Sequence, residues 1–244
     1  MKVGVFSDVH GNIESLNAVL DELARLGMDR LWCLGDVVGY GANPGECIDR
    51  VREAAQVVIL GNHDAACTGS EDAAHFNPNA RAAVAWTMNR LSEEHKAWLR
   101  GLPASETIND TLLVHSSPFE PEHWHYVHTR MRPADLAQSF GATQARVIFV
   151  GHSHQQLILV NREDEFYRFL GTSLHLEPSY RYLVNVGSTG QPRDGDTRAA
   201  FAVYDTDAGT VALHRVAYDV SAAQRKIREA GLPPILADRL ENGL

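Results

Sequence analysis

Short apolar runs that stop at a polar, glycine-containing turn recur along the first part of this chain. Residues 2–7 (KVGVFS) run into Asp8, 30–34 (RLWCL) into Gly35-Asp36, and 56–60 (QVVIL) into Gly61-Asn62. Between the first two, Leu16, Val19, Leu20, Leu23 and Leu26 repeat at helical spacing behind a capping Asn12 and stop at Gly27. Pro44 opens a second helical stretch through about Ala55. The pattern predicts β-α-β-α-β, a sheet of parallel strands joined by crossover helices.

Residues 78–100 predict a helix with a break near Leu91-Ser92, and 104–115 two strands around an Asn109-Asp110 turn. A polar, histidine-rich loop follows, then a helix from about Arg132 to Phe140 and a buried strand at 146–150 ending at Gly151-His152. After His154 the runs are short and alternating, at 156–161, 165–170, 182–186, 198–205 and 210–216. They predict a second, mostly antiparallel sheet, closed by a helix at 219–230. No linker or repeat interrupts the chain, so a single domain over residues 1–244 is expected.

Composition narrows the function. With 244 residues, 44% hydrophobic and 22% charged, the chain has a globular composition. Its net charge of −9, from 22 basic and 31 acidic residues, gives little counterion release on DNA, so long nucleic acid is not an expected partner. An anionic substrate needs local positive charge, from metal ions or a few basic side chains. No apolar run approaches the ~20 residues of a membrane span, so no membrane association is expected. The start, MKVGVFSDVHG, does not read as a signal peptide. Three cysteines without C-x-x-C spacing fit a reducing cytoplasm.

The twelve histidines change the picture most. Five segments place metal-ligand side chains in a turn after an apolar strand: Asp8-Val9-His10, Gly35-Asp36, Gly61-Asn62-His63-Asp64, His115-Ser116 and Gly151-His152-Ser153-His154. Singly, each has a plainer reading. Asp8 is a helix cap, His115 a core histidine, and Asn62-His63 turn chemistry. His152 and His154, two residues apart, address one site only from a turn. Jointly they point to one crevice at the carboxyl ends of strands. Oxygen and imidazole donors without thiolate suit Mn, Fe, Ni, Co or Zn. Seven such ligands exceed one ion's needs and fit two divalent ions about 3.5–4 Å apart.

In this order, D-x-H, G-D, G-N-H-D, a later strand-end His and G-H-x-H resemble the calcineurin-like metallophosphoesterases over roughly residues 3–190. The resemblance implies an αββα sandwich of two mixed β-sheets flanked by helices. It implies a first metal held by Asp8, His10, Asp36 and His154. Asp36 would bridge to a second metal held by Asn62, His115 and His152. His63 would be a catalytic non-ligand facing the phosphate. The expected reaction is attack of a metal-bound hydroxide on phosphorus, in line with the leaving oxygen.

One departure matters. The family's protein phosphatases follow G-D with an Asp-Arg-Gly, whose Asp supports the catalytic His and whose Arg grips phosphate; Gly39-Tyr40-Gly41 stands here. The resemblance is therefore nearer to small bacterial and archaeal phosphodiesterases acting on a small phosphoester. Tyr40 and Arg193 are candidate substrate contacts, Arg193 replacing the clamp from another loop or lying in a surface turn. The His123–His128 stretch lines the cleft, or else forms a partly buried loop or an interface. Asp64 orients a histidine or caps a helix, and the charges of 220–241 read as a solvated face. Alternatives are a phosphatase of the same mechanism, a nuclease on long polymers, and a non-catalytic interaction module, which complete ligands argue against.

Overall fold

The structure is a computed structural model and describes residues 1–244. Helix α1 (Ile13–Leu26) lies where the leucine spacing puts it, with Asn12 accepting from the Ser15 amide at 3.2 Å and Gly27 ending it at φ 71°. It connects β1 (Lys2–Phe6) to β2 (Arg30–Cys33), and α2 (Pro44–Ala54) connects β2 to β3 (Val57–Val58). Both pairings are parallel, as the β-α-β-α-β pattern requires. The break at Leu91-Ser92 is real: α4 (Pro78–Met88) ends before it, and Ser92 caps α5 (Glu93–Arg100). Before them in chain order, α3 (Asn62–Thr68) follows β3. Its residues are all buried, so it has no amphipathic stripe and reads in sequence as a turn.

The later strands are β4 (Ser105–Ile108), β5 (Thr111–Val114), β6 (Val147–Val150), β7 (Gln156–Arg162), β8 (Glu165–Phe169), β9 (Ser173–His175), β10 (Arg181–Val186), β11 (Ala199–Asp205) and β12 (Thr210–Val216). They correct one expectation: the strands after His154 form no sheet of their own. One sheet runs β3-β2-β1-β11-β12-β9 and the other β4-β5-β6-β10-β7-β8, so the late strands are shared between both. Alternation identifies a strand but not its partner, which explains the error. Each sheet is mixed, with β5, β6 and β10 parallel to one another and β7 antiparallel to β10.

The two sheets pack face to face. Val3, Val5, Trp32 and Ile59 from one meet Leu113, Phe149, Ile158 and Val184 from the other in a layer of buried side chains. Helices α1 and α2 cover the outer face of the first sheet through Leu16, Leu23, Ile48 and Val51. Helix α6 (Pro133–Gly141) covers the second through Leu136 and Phe140. This is the αββα arrangement of two mixed sheets flanked by helices. The C-terminal α7 (Val220–Glu229) and α8 (Ile235–Asp238) pack Ile227 and Leu236 against α4 and Tyr40. No helix is long and apolar enough to cross a membrane.

Candidate metal centre

The carboxyl ends of β1, β2, β3, β5 and β6 open on one crevice, and the turns after them carry the five ligand segments. Asp8, His10, Asp36, Asn62, His63, His115, His152 and His154 are all buried. They come together there without exception. Asp8 Oδ1 lies 3.2 Å from His154 Nε2, and His10 Nε2 lies 3.0 Å from the same atom. Asp36 Oδ2 lies 3.3 Å from His115 Nε2 and 3.6 Å from His10 Nε2. Two buried metal-ligand clusters result, Asp8-His10-His154 and Asp36-His115-His152. His63 also reaches the region, within ligand range of His10 and Asp36.

The donor set fits metal ions. The rear nitrogens of three rings are fixed by main-chain carbonyls: His10 Nδ1 to Val38 O at 3.0 Å, His115 Nδ1 to Leu34 O at 2.7 Å, and His154 Nδ1 to Gln191 O at 2.6 Å. A Nδ1–H donating to a carbonyl leaves the Nε2 lone pair aimed inward, as metal-binding histidines require. Inside, His152 Nε2 and Asn62 Oδ1 are buried and have no hydrogen-bond partner, and His115 Nε2 meets only carboxylate oxygens, of Asp36 at 3.3 Å and of Asp8 at 3.9 Å. Buried polar atoms are rarely left orphaned, and here the orphans converge on one place.

The backbone is bent to make this possible. Asp8, His10, Asp36, Tyr40, His152 and His154 all have φ between 50° and 64°, the left-handed region. Each such residue costs on the order of 1–3 kcal/mol, and Asp and His tolerate it better than most. Main-chain bonds hold the turns in place: Asp8 N–H to Gly35 O at 3.0 Å, His10 N–H to Asp36 O at 2.9 Å, and Gly151 N–H to His115 O at 2.9 Å. Gly61 is required by close approach, since a Cβ there would collide with the Asp36 carboxylate. Asp64 serves the backbone and no histidine. Its Oδ1 accepts the Val38 amide at 3.1 Å and its Oδ2 the Gly61 amide at 3.2 Å.

Electrostatics follow from burial and proximity. Burial opposes charge on Asp8 and Asp36, but the surrounding imidazoles override it and hold both carboxyls well below the usual carboxylate range. Burial likewise opposes charge on His115, yet Asp36 and Asp8 lift it to about 9. Burial pulls His63 down to about 4 against the attraction of Asp36, and His152 down to about 3. His63 is therefore a neutral ring at pH 7. It packs between His10, Tyr40 and Phe76, with centroids 4.9, 4.4 and 4.8 Å away. Its Nδ1 is buried without a partner, and a Cβ at Gly39 would lie 2.6 Å from it. The position that the family resemblance assigns to a supporting Asp is thus beside His63, and the support is absent.

The loop after β5 supplies one wall of the site, and Asn185 is the residue that sequence reasoning missed. Tyr126 stacks on His152 at 4.1 Å, and Trp124 meets His115 edge-on at 5.9 Å. The cleft reading of the His123–His128 stretch thus holds for part of it: His123, Trp124 and Tyr126 line a cleft of about 230 Å³ with Asn62, His63 and His152. His125 and His128 face a separate cavity of about 550 Å³. Asn185, fully buried, donates to Gly151 O at 2.7 Å and Ser153 Oγ at 2.9 Å, anchoring the G-H-x-H turn. Arg193 lies 5.6 Å above the Tyr40 ring, so the loop after β10 returns to the crevice. In the sequence, an aromatic-rich stretch soon after His115 was the one signal for this wall.

A two-sheet sandwich with paired buried ligand clusters at its strand ends defines a class. The calcineurin-like phosphoesterase superfamily domain matches residues 1–209, and the chain belongs to that superfamily. A metallophosphoesterase from Sphaerobacter thermophilus, known from its crystal structure, is 40% identical; the match covers 100% of this chain and 99% of that one, with a TM-score of 0.86. A protein of Methanocaldococcus jannaschii is 36% identical over 242 residues, 98% of this chain and 96% of its own. A Pyrococcus horikoshii OT3 protein at 21% identity shares the fold, with a TM-score of 0.82 over 100% of this chain and 98% of its own.

Proposed function

We propose that the chain hydrolyses small phosphodiesters with two divalent metal ions. Asp8, His10, Asp36 and His154 would hold one ion, and Asp36, Asn62, His115 and His152 the other. The observation that carries this is the pair of buried ligand clusters, Asp8-His10-His154 and Asp36-His115-His152, with His152 Nε2 and Asn62 Oδ1 left without a partner beside them. When bound, such ions lower the pKa of water toward neutrality and offset the charge of phosphoryl oxygens. Asp36 fixes the spacing between the two halves. Asn62 contributes an oxygen without charge, which keeps the site cationic enough for an anion. His63, a neutral ring, donates one N–H to an oxygen of the substrate, a preorganised contact of the kind that dominates phosphoryl transfer.

The diester preference rests on Tyr40 standing where protein phosphatases of the family carry an arginine. Monoester hydrolysis is the second reading, and Arg193 above Tyr40 favours it, because a guanidinium there grips a dianion. The deciding comparison is kcat/KM for bis-p-nitrophenyl phosphate against p-nitrophenyl phosphate, after screening Mn, Fe, Ni, Co, Zn and Mg. A preference for the diester is expected. A clear monoester preference, lost in Arg193→Ala, would establish the second reading, and no turnover with any metal would refute both.

A further inference from the structure

A second set of metal-ligand side chains lies outside the crevice, in the loop after β5. Glu120, His123 and His125 bring a carboxylate oxygen and two ring nitrogens within 4.8 Å of one another. Glu120 Oε2 lies 3.2 Å from His123 Nδ1 and 3.3 Å from His125 Nε2. Charge-assisted hydrogen bonds between such groups are ordinarily shorter, about 2.7–2.9 Å. Imidazole and carboxylate donors on one tetrahedral zinc ion stand roughly 3.3–3.4 Å apart, and the observed distances fit that spacing better.

Ion pairing alone is a weak reason for this arrangement. All three side chains are about half exposed, where water leaves a carboxylate–imidazole pair with little net attraction. The loop is bent to hold them all the same. Glu120 and Trp124 have φ of 46° and 53°, a left-handed conformation that is unfavourable for side chains of their bulk. A single 3-10 turn over Pro121–His123 folds His123 back over Glu120, its amide donating to Glu120 O at 2.9 Å. The Ser117 amide donates to His125 O at 3.0 Å and closes the loop behind them. An ion shared by the three donors would offset the strain that their own contacts do not.

The loop's position says what such an ion would do. Trp124, between the two histidines, meets His115 edge-on, and Tyr126, just after the second, stacks on His152. His123 lines the cleft with Asn62, His63 and His152, whereas His125 lines the cavity of about 550 Å³. Tyr126 belongs to both recesses. An ion on Glu120, His123 and His125 thus clips the partition between them, and with it the two aromatic rings that rest on ligands of the buried centre.

We propose that Glu120, His123 and His125 form a further metal site, for zinc or a similar borderline divalent ion, and that its occupancy fixes the wall made by Trp124 and Tyr126. Two imidazoles and one carboxylate are a donor set that zinc takes where a fourth position stays open. Magnesium and calcium, which seek oxygen ligands, are poor occupants of it. The site stands on its own donors and does not depend on the phosphoesterase reading.

The test is equilibrium dialysis of chelator-stripped protein against micromolar zinc, with bound zinc counted by elemental analysis. A His123→Ala/His125→Ala variant should bind one zinc fewer per chain than wild type, whatever the buried centre holds. Glu120→Gln, which keeps the side chain's shape and loses its charge, should weaken that zinc by at least about tenfold, the lower end of what losing even an outlying partner of a metal ligand costs. In hydrogen exchange, zinc should slow the amides between Ser117 and Tyr126 in wild type more than in the double variant. Equal zinc counts in wild type and the double variant would overturn the site. A deficit of one zinc with no difference in exchange would overturn its hold on the wall. A deficit of one zinc in a protein whose buried centre takes up none would leave this site standing and sink the dinuclear reading.

Discussion

Asp36 and His115 are joined across the two sheets, Oδ2 to Nε2 at 3.3 Å, while the other oxygen of Asp36 accepts the His63 amide at 2.8 Å. One carboxylate from the end of β2 thereby reaches a histidine from the end of β5 and the first turn of α3. Asp36→Asn should empty both metal positions together and lower turnover by more than about 100-fold, since even outlying partners of metal ligands cost 10–100-fold. Elemental analysis after dialysis checks this. Loss of one ion with full retention of the other would show that Asp36 does not bridge.

His63→Gln should keep both ions and lower kcat by about 10²–10³-fold, the usual loss for one preorganised donor. Metal content measured beside kcat separates the possibilities. A parallel fall of both would make His63 a ligand.

Metal uptake should expel a proton. With its pKa lifted to about 9, His115 is an imidazolium at pH 7.5 in ion-free protein, and coordination needs the neutral ring. Apparent affinity should therefore rise with pH, by about tenfold per unit for each proton displaced, and level off above pH 9. Calorimetry in two buffers of different ionisation enthalpy counts the protons released. Affinity that is flat between pH 6.5 and 9 would contradict the charge state assigned to His115.

Asn185→Leu should strip the donor from Gly151 O and Ser153 Oγ in a site that water does not reach. Leaving buried acceptors unpaired costs about 1–3 kcal/mol, a fall in Tm of roughly 2–12 °C for a chain of this size. Scanning calorimetry reads the loss, and weaker metal retention should accompany it because the same turn carries His152 and His154. A Tm equal to wild type would show that the amide does not anchor the turn.

The ligands were legible because each lies within two residues of its own signal, an apolar strand meeting a glycine-flanked turn. Asp8, Asp36 and His152 announce themselves locally. Asn185 does not: its partners Gly151 and Ser153 are 34 and 32 positions away, and nothing in its neighbourhood marks it. Tyr126 was visible only as one aromatic among several, since stacking on His152 depends on how a loop folds back. The sheets show the same divide. Alternation marked β7, β10 and β11 as strands, but whether each joins β1 or β6 is decided by packing across the whole chain. Strand β9 and helix α8, three and four residues long, are too short to show a period at all.

The main-chain bonds between the turns also set a clock. Loops that bind ligands are commonly the first parts of a protein to open. Here the amides of Asp8, His10 and Gly151 are tied to carbonyls of neighbouring turns, and those turns sit on the central strands. Their hydrogens should therefore be among the slowest in the chain to exchange. Ions entering and leaving the crevice should then do so through a frame that stays closed, with the pace of exchange set by the chemistry of ligand release and not by the folding of a loop.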